Sequence, residues 1–179
     1  MGRQARDVLD HGELLDRCLT AFLKAGTLDL SLDKLAAEVR VSKRMLVHYF
    51  SGREAIEHGA IERLEDRLRA QFSPESFPAG VSAGIVLMAL WDLTTASSSR
   101  GVLLLTMDIS RRAWNGSERA RSFVDEQQKL WKQLLMKFIP DAQRVEAVLQ
   151  LFQGAVLAYL VTGDAGPGRR SLLRLLSSK

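Results

Sequence analysis

Before residue 73, apolar side chains recur at intervals of three and four and Gly and Pro are scarce, so the chain reads as helices joined by short turns. No stretch alternates convincingly with period two, and the expected fold class is all-α. The first helix is expected from His11 to Ala25: Leu15, Cys18, Leu19 and Phe22 form one stripe, Asp10 is placed to cap it with Glu13 three residues on, and Gly26 suits a left-handed end. A short second helix, Leu32 to Val39, follows Ser31 as cap and turns Leu32, Leu35, Ala36 and Val39 inward. Val41 and Ser42 make a tight turn. Ser42 then caps a third helix, Lys43 to Tyr49, whose Leu46 and Phe50 return to the core. The capping-box spacing of Ser51-Gly52-Arg53-Glu54 predicts a longer fourth helix reaching about Phe72.

Two prolines and two serines between Ser73 and Pro78 cannot continue that helix and mark the clearest break in the pattern. Beyond it, helices are expected near 79–97, 99–113, 117–139 and 141–162, with Gly163 to Gly168 ending the last long one and a short amphipathic helix at 169–178. There is no internal repeat and no low-complexity tract beyond Ser97-Ser98-Ser99.

The 179 residues, 46% of them apolar, suffice for a buried core. No run of eighteen apolar residues lacks a charge, and MGRQARDVLDHG carries neither an apolar signal stretch nor a cleavage site, so no membrane association and a cytoplasmic location are expected. Cys18 is expected to be a buried core thiol. The net charge of +4 suggests nucleic acid, but residues 1–72 hold twelve basic and twelve acidic side chains, so local clustering decides. Arg40, Lys43, Arg44 and Arg53 fall within fourteen residues that contain no acid, which suits a phosphate-facing edge.

Two short helices separated by about three residues and packed on a longer preceding one are the arrangement that lets the second enter a major groove. Lys43, Arg44, Val47 and His48 can point outward while Leu46 and Phe50 hold the inner side, and Ser42 with the helix N-terminus offers a hydroxyl and free amides to a phosphate. Spacing alone fits equally a helical hairpin with a solvated basic face.

From Leu14 to Ile56 the chain resembles the DNA-binding domain of TetR-family transcriptional regulators. Phe22 and Gly26, Ser31, Leu35-Ala36, Val41-Ser42, Leu46, Tyr49-Phe50 and Arg53-Glu54-Ala55-Ile56 occupy that family's pattern in order and without gaps. The resemblance implies a helix-turn-helix DNA-binding domain over residues 1–52 and a helical ligand-binding and dimerisation domain over 53–179. It also implies a double-stranded DNA operator as partner, a small-molecule ligand, a homodimer and a repressor's role. It carries over Ser31, Ser42, Lys43, His48, Tyr49 and Arg53 as DNA-binding positions, to which charge and place add Arg44. There are departures. Arg40 replaces the usual Gly and costs conformational energy if its φ is positive, Arg44-Met45 replaces a Gly-Thr pair, and Val47 replaces a tyrosine.

In the second region, Phe72, Phe77, Met88, Trp91, Met107, Trp114, Phe123 and Trp131 form an aromatic and sulfur-rich supply whose three tryptophans can line an apolar pocket, with Asp92, Asp108, Arg111 and Arg112 as its polar anchors. The ligand-binding set expected is Met88, Trp91, Met107, Asp108, Arg111 and Trp114, for an apolar or aromatic molecule. The stripe from Val145 through Phe152 to Leu160 is wider than one neighbouring helix can cover and predicts a second subunit, packed through this helix and that at 117–139. Enzymatic rivals are poorly supplied: no Cys or His cluster has metal spacing, no Gly-rich loop follows a strand, and His11, His48 and His58 are scattered, so no metal or cofactor is expected. A helical adaptor or small-molecule-binding protein without DNA affinity is the remaining alternative.

Overall fold

The computed structural model describes residues 10–73, 75, 77–78 and 80–177. Among them every regular element is a helix: α1 (His11–Ala25), α2 (Leu32–Val39), α3 (Lys43–Phe50), α4 (Arg53–Gln71), α5 (Ala83–Thr95), α6 (Arg100–Trp114), α7 (Glu118–Met136), α8 (Ala142–Thr162) and α9 (Gly166–Ser177), with one 3-10 turn at Ser97–Ser99. The caps follow from side-chain chemistry. Asp10, Ser31, Ser42, Ser82, Ser117 and Asp141 each accept a hydrogen bond from a first-turn amide of the helix they precede, which supplies a partner to a donor the helix itself leaves open.

The expected bounds of α1 and α2 match, and three local expectations do not. Ser51 does not open α4. Its φ of 58° makes it the left-handed residue that closes α3, with its N–H on the Val47 carbonyl, and Gly52 precedes α4 at φ 130° without a side-chain cap. Gly166 and Gly168 belong to α9 rather than to a terminating loop, because Pro167 is tolerated in a first turn and α9 crosses α5 closely: a Cβ at Gly168 would lie 2.6 Å from the Trp91 ring. The helix expected from residue 79 starts at Ala83; Ala79, with Pro74 and Ser76 of the expected break, lies outside the described residues, as does Ser178 at the far end.

One continuous core runs through the molecule. α1 to α4 enclose Leu14, Leu19, Phe22, Leu35, Leu46 and Ile56, and Cys18 is fully buried among them, which pushes its thiol up to about 11. In the second region α8 is long and apolar enough to cross a membrane, but Val145, Val148, Leu149, Phe152, Ala155 and Val156 are buried within the subunit against α5, α7 and α9. Most of its wide apolar stripe is thus covered without a second subunit. Leu157 and Val161 remain exposed, at 56% and 80%.

The two regions meet at α6. Gly101, Leu104, Asp108 and Arg112 follow one another at helical spacing along one face, and that face lies on the end of α1. A Cβ at Gly101 would fall 2.4 Å from the Leu23 carbonyl oxygen, and one at Gly26 would fall 2.8 Å from Leu104 Cβ. Asp108 accepts from the Leu28 amide at 2.9 Å and the Thr27 hydroxyl at 3.1 Å, so a residue of α6 ties down the loop between α1 and α2. Arg111 and Arg112 hold the same carboxylate, and Arg112 also reaches Asp29 at 2.6 Å and Glu57 of α4 at 3.0 Å. Burial pushes the Asp108 carboxyl up, but the Leu28 amide and the two guanidiniums outweigh it and hold it below the usual carboxylate range. A second tie is bidentate, from Arg119 of α7 to Glu65 of α4 at 2.8 and 3.0 Å.

Gly101→Ala should force α6 off α1 and cost about 1–3 kcal/mol, read as a lowered urea midpoint. Because the folded pKa of Asp108 is depressed, its contribution is present above the unfolded value of about 4 and is lost as pH falls through the folded one. Thermal unfolding from pH 7 to pH 2 should therefore show a loss of stability below about pH 4 that is smaller in Asp108→Asn, a variant already less stable at pH 7; an equal acid loss in both proteins would show that Asp108 does not supply it.

Candidate nucleic-acid interface and effector cavity

α2 and α3 cross through the turn Arg40-Val41-Ser42. Arg40 takes φ 60° and ψ 43°, the left-handed conformation that closes α2 by placing its N–H on the Ala36 and Ala37 carbonyls. A side chain is accepted there at a conformational cost Gly would not incur. Ser42 lies at the N-cap of α3, its hydroxyl accepting from the Met45 amide at 3.1 Å. α3 then buries Leu46 and Phe50 against α1, α2 and α4, and leaves the opposite face in water.

That outer face carries Ser42, Lys43, Arg44, Val47 and His48, all exposed, with Tyr49 half-buried at its edge and its ring 6.0 Å from that of His48. Ser31 lies exposed at the start of α2, its hydroxyl bound to the Lys34 amide. Lys43 pairs with Asp33 of α2 at 2.9 Å, an exposed bridge that water and salt loosen readily. Arg53 is placed differently: its guanidinium donates to the Leu28 carbonyl at 2.8 Å and to Glu57 at 2.5 Å, so it buttresses the same loop that Asp108 holds. The acid-free run from Arg40 to Arg53 is thus a surface around α3 with Arg53 turned into the domain.

In the second region α4, α6, α7 and α8 border a cavity of about 520 Å³ that opens to solvent along Gln128, Gln150, Gln153, Gly154 and Leu157. Phe72, Phe123, Trp131 and Phe152 supply aromatic walls, and Trp131 packs on both Phe72 and Phe152 with ring centroids 4.6 and 5.6 Å apart. Thr106, Met107 and Ser110 line it from α6, on the face opposite the one that meets α1. Of the six residues expected to bind ligand, Met107 alone is on this wall. Trp114 is 89% exposed at the end of α6, Trp91 is buried edge-on against Phe152, and Met88 packs into the core. Asp108 and Arg111 point away from the cavity and engage the loop after α1, and Arg112 and Asp92 are likewise paired elsewhere, with Glu57 and Arg169.

Sequence reasoning overlooked the polar lining. Gln71, Gln127, Gln128, Gln150 and Gln153 reach the cavity from three helices, together with Thr94 and Ser99. Gln150 and Gln153 on α8 are three residues apart and share a face, but Gln127 and Gln128 on α7 are adjacent, and glutamines at helical spacing equally mark a solvated helix face.

No family model and no curated protein sequence matches the chain. Its structure is similar to that of a TetR-family transcriptional regulator from Rhodococcus sp., at 20% identity and a TM-score of 0.71 over 93% of this chain and 96% of that one. It is also similar to a transcriptional regulator from Streptomyces coelicolor A3(2), at 19% identity and TM-score 0.69 over 92% and 96%. A third likeness is to the multidrug binding protein EbrR complexed with proflavin, at 19% identity and TM-score 0.63 over 92% and 98%. With end-to-end coverage in each case, the chain has the fold of TetR-family transcriptional regulators.

Proposed function

We propose that the chain is a ligand-responsive DNA-binding transcriptional regulator, most simply a repressor, and not an enzyme. The observation that carries this reading is α3: a short helix capped by Ser42, packed on its inner face and presenting Lys43, Arg44 and His48 outward within an acid-free stretch. Such a helix fits a major groove, with Ser31, Ser42, Lys43, Arg44 and Tyr49 at phosphates and His48 at the bases; Arg53 acts by holding the loop beneath it. Residues 1–52 form the reading head, and 53–179 the part that senses. The fold's likeness to a protein that binds proflavin supports the 520 Å³ cavity as the effector site.

The two faces of α6 give the reading its mechanism. A ligand against Thr106, Met107 and Ser110 bears on the same rigid helix whose other side holds Thr27 and Leu28, so a small displacement of α6 moves the loop on which α2 and α3 rest. Regulation requires the ligand to favour one position of α6; a hundredfold preference supplies about 2.7 kcal/mol. A cytoplasmic homodimer completes the reading, since a pair of α3 helices reads two half-sites. The exposed side of α8, with Gly154, Leu157, Ala158 and Val161, is its most apolar available face.

Gel shifts against the DNA upstream of the chain's own gene should give a complex whose salt dependence falls in Arg44→Ala by about 0.9 per lost phosphate contact, hence about two units for a dimer. An unchanged slope would remove Arg44 from the interface, and no DNA affinity at low salt would leave a helical ligand-binding protein. Val161→Glu alters a residue the subunit does not bury and should yield folded monomers in sedimentation at micromolar concentration; Phe152→Glu is unsuited to the purpose because Phe152 is in the subunit's own core.

A further inference from the structure

We infer that the cavity selects uncharged aromatic molecules that carry a hydrogen-bonding group, and discriminates against cations and anions of the same shape. The inference rests on the cavity's being the effector site and adds the chemical class it takes. None of the side chains lining it is ionisable. A cation moved there from water would lose part of its hydration and meet aromatic faces, neutral amides and hydroxyls with no carboxylate to compensate, and an anion would meet no basic side chain. Helix ends do not substitute for a charge, because Thr94 in the last turn of α5 and Ser99 before α6 both border the cavity and the two helix termini carry partial charges of opposite sign.

Thr94 points to the ligand's polar group. It is 7% exposed, it lines the cavity, and its hydroxyl has no hydrogen-bond partner, whereas the neighbouring Thr95 hydroxyl is satisfied by the Trp91 carbonyl at 2.8 Å. A buried hydroxyl left open costs stability that a bound donor or acceptor restores. The aromatic walls of Trp131, Phe72 and Phe152 provide the stacking surface, and the glutamine amides can turn to donate or accept without imposing a charge.

Three probes of similar size separate the classes: N-phenyl-1-naphthylamine, which is neutral with one N–H; 8-anilinonaphthalene-1-sulfonate, its anionic counterpart; and proflavin, a cation. Fluorescence titration of the full chain should give the neutral amine at least a tenfold lower Kd than either ion. Thr94→Val should weaken the amine severalfold while raising the thermal midpoint of the unliganded protein, a combination that mere damage to the fold would not produce. Gln127→Glu should narrow the gap between the amine and proflavin by drawing proflavin in about tenfold more tightly. Proflavin binding to the unaltered chain as tightly as the amine would overturn the charge selection yet leave an effector cavity. Failure of all three probes to bind would overturn the selection and the effector cavity together. DNA affinity, measured separately by gel shift, does not depend on either result.

Discussion

A carboxylate with little access to water, held by donors from two parts of the chain, fixes how α6 sits on the first four helices. The Asp108 side chain is 9% exposed and accepts from the Thr27 hydroxyl, the Leu28 amide, Arg111 and Arg112. Removing it from water is expensive, and only this full set of donors offsets the cost, so the joint tolerates one geometry and few others. Arg112 extends the constraint, because its one guanidinium engages acids on α6, on the loop after α1 and on α4. Close backbone approach at Gly101 adds a steric limit to the electrostatic one.

The rest of the architecture depends on that joint. The loop from Thr27 to Asp29 enters α2 through the Ser31 cap, and α2 leads through the left-handed Arg40 to α3, so the orientation of the outer face of α3 is inherited from α6. The opposite face of α6 is a cavity wall. A helix fixed on one side by short polar bonds and bordered on the other by empty space can respond to what fills that space, and the bonds determine where the response goes. Arg119 with Glu65 makes a parallel connection from α7, which also borders the cavity, to α4.

Charge is distributed in keeping with this division. Basic side chains around α3 are exposed or loosely paired, as suits contact with a polyanion, whereas Arg111 and Arg112 of α6 and Arg119 of α7 are committed to acids of the same subunit. The cavity between them is neutral. A net charge of +4 therefore describes neither functional surface; the placement of individual cations does.

What the sequence by itself determined is local: the all-α class, the bounds of α1 and α2, the caps at Asp10, Ser31 and Ser42, the left-handed Gly26, the burial of Cys18 and the outward face of α3. Each rests on interactions within about four residues, where periodicity and capping chemistry act directly. Tertiary structure decided the rest. Asp108, Arg111 and Arg112 looked like anchors of a pocket because three charges beside aromatic residues carry no record of which neighbour they face; residues about eighty positions away turned them toward the loop after α1. Trp91 and Trp114 share an indole, yet one is buried in the core and the other stands in water, while the glutamines and Thr94 that line the cavity are ordinary helix-surface residues until α4, α6, α7 and α8 are brought around them. A cavity is a gap left between elements, and only their packing specifies where it lies and what borders it.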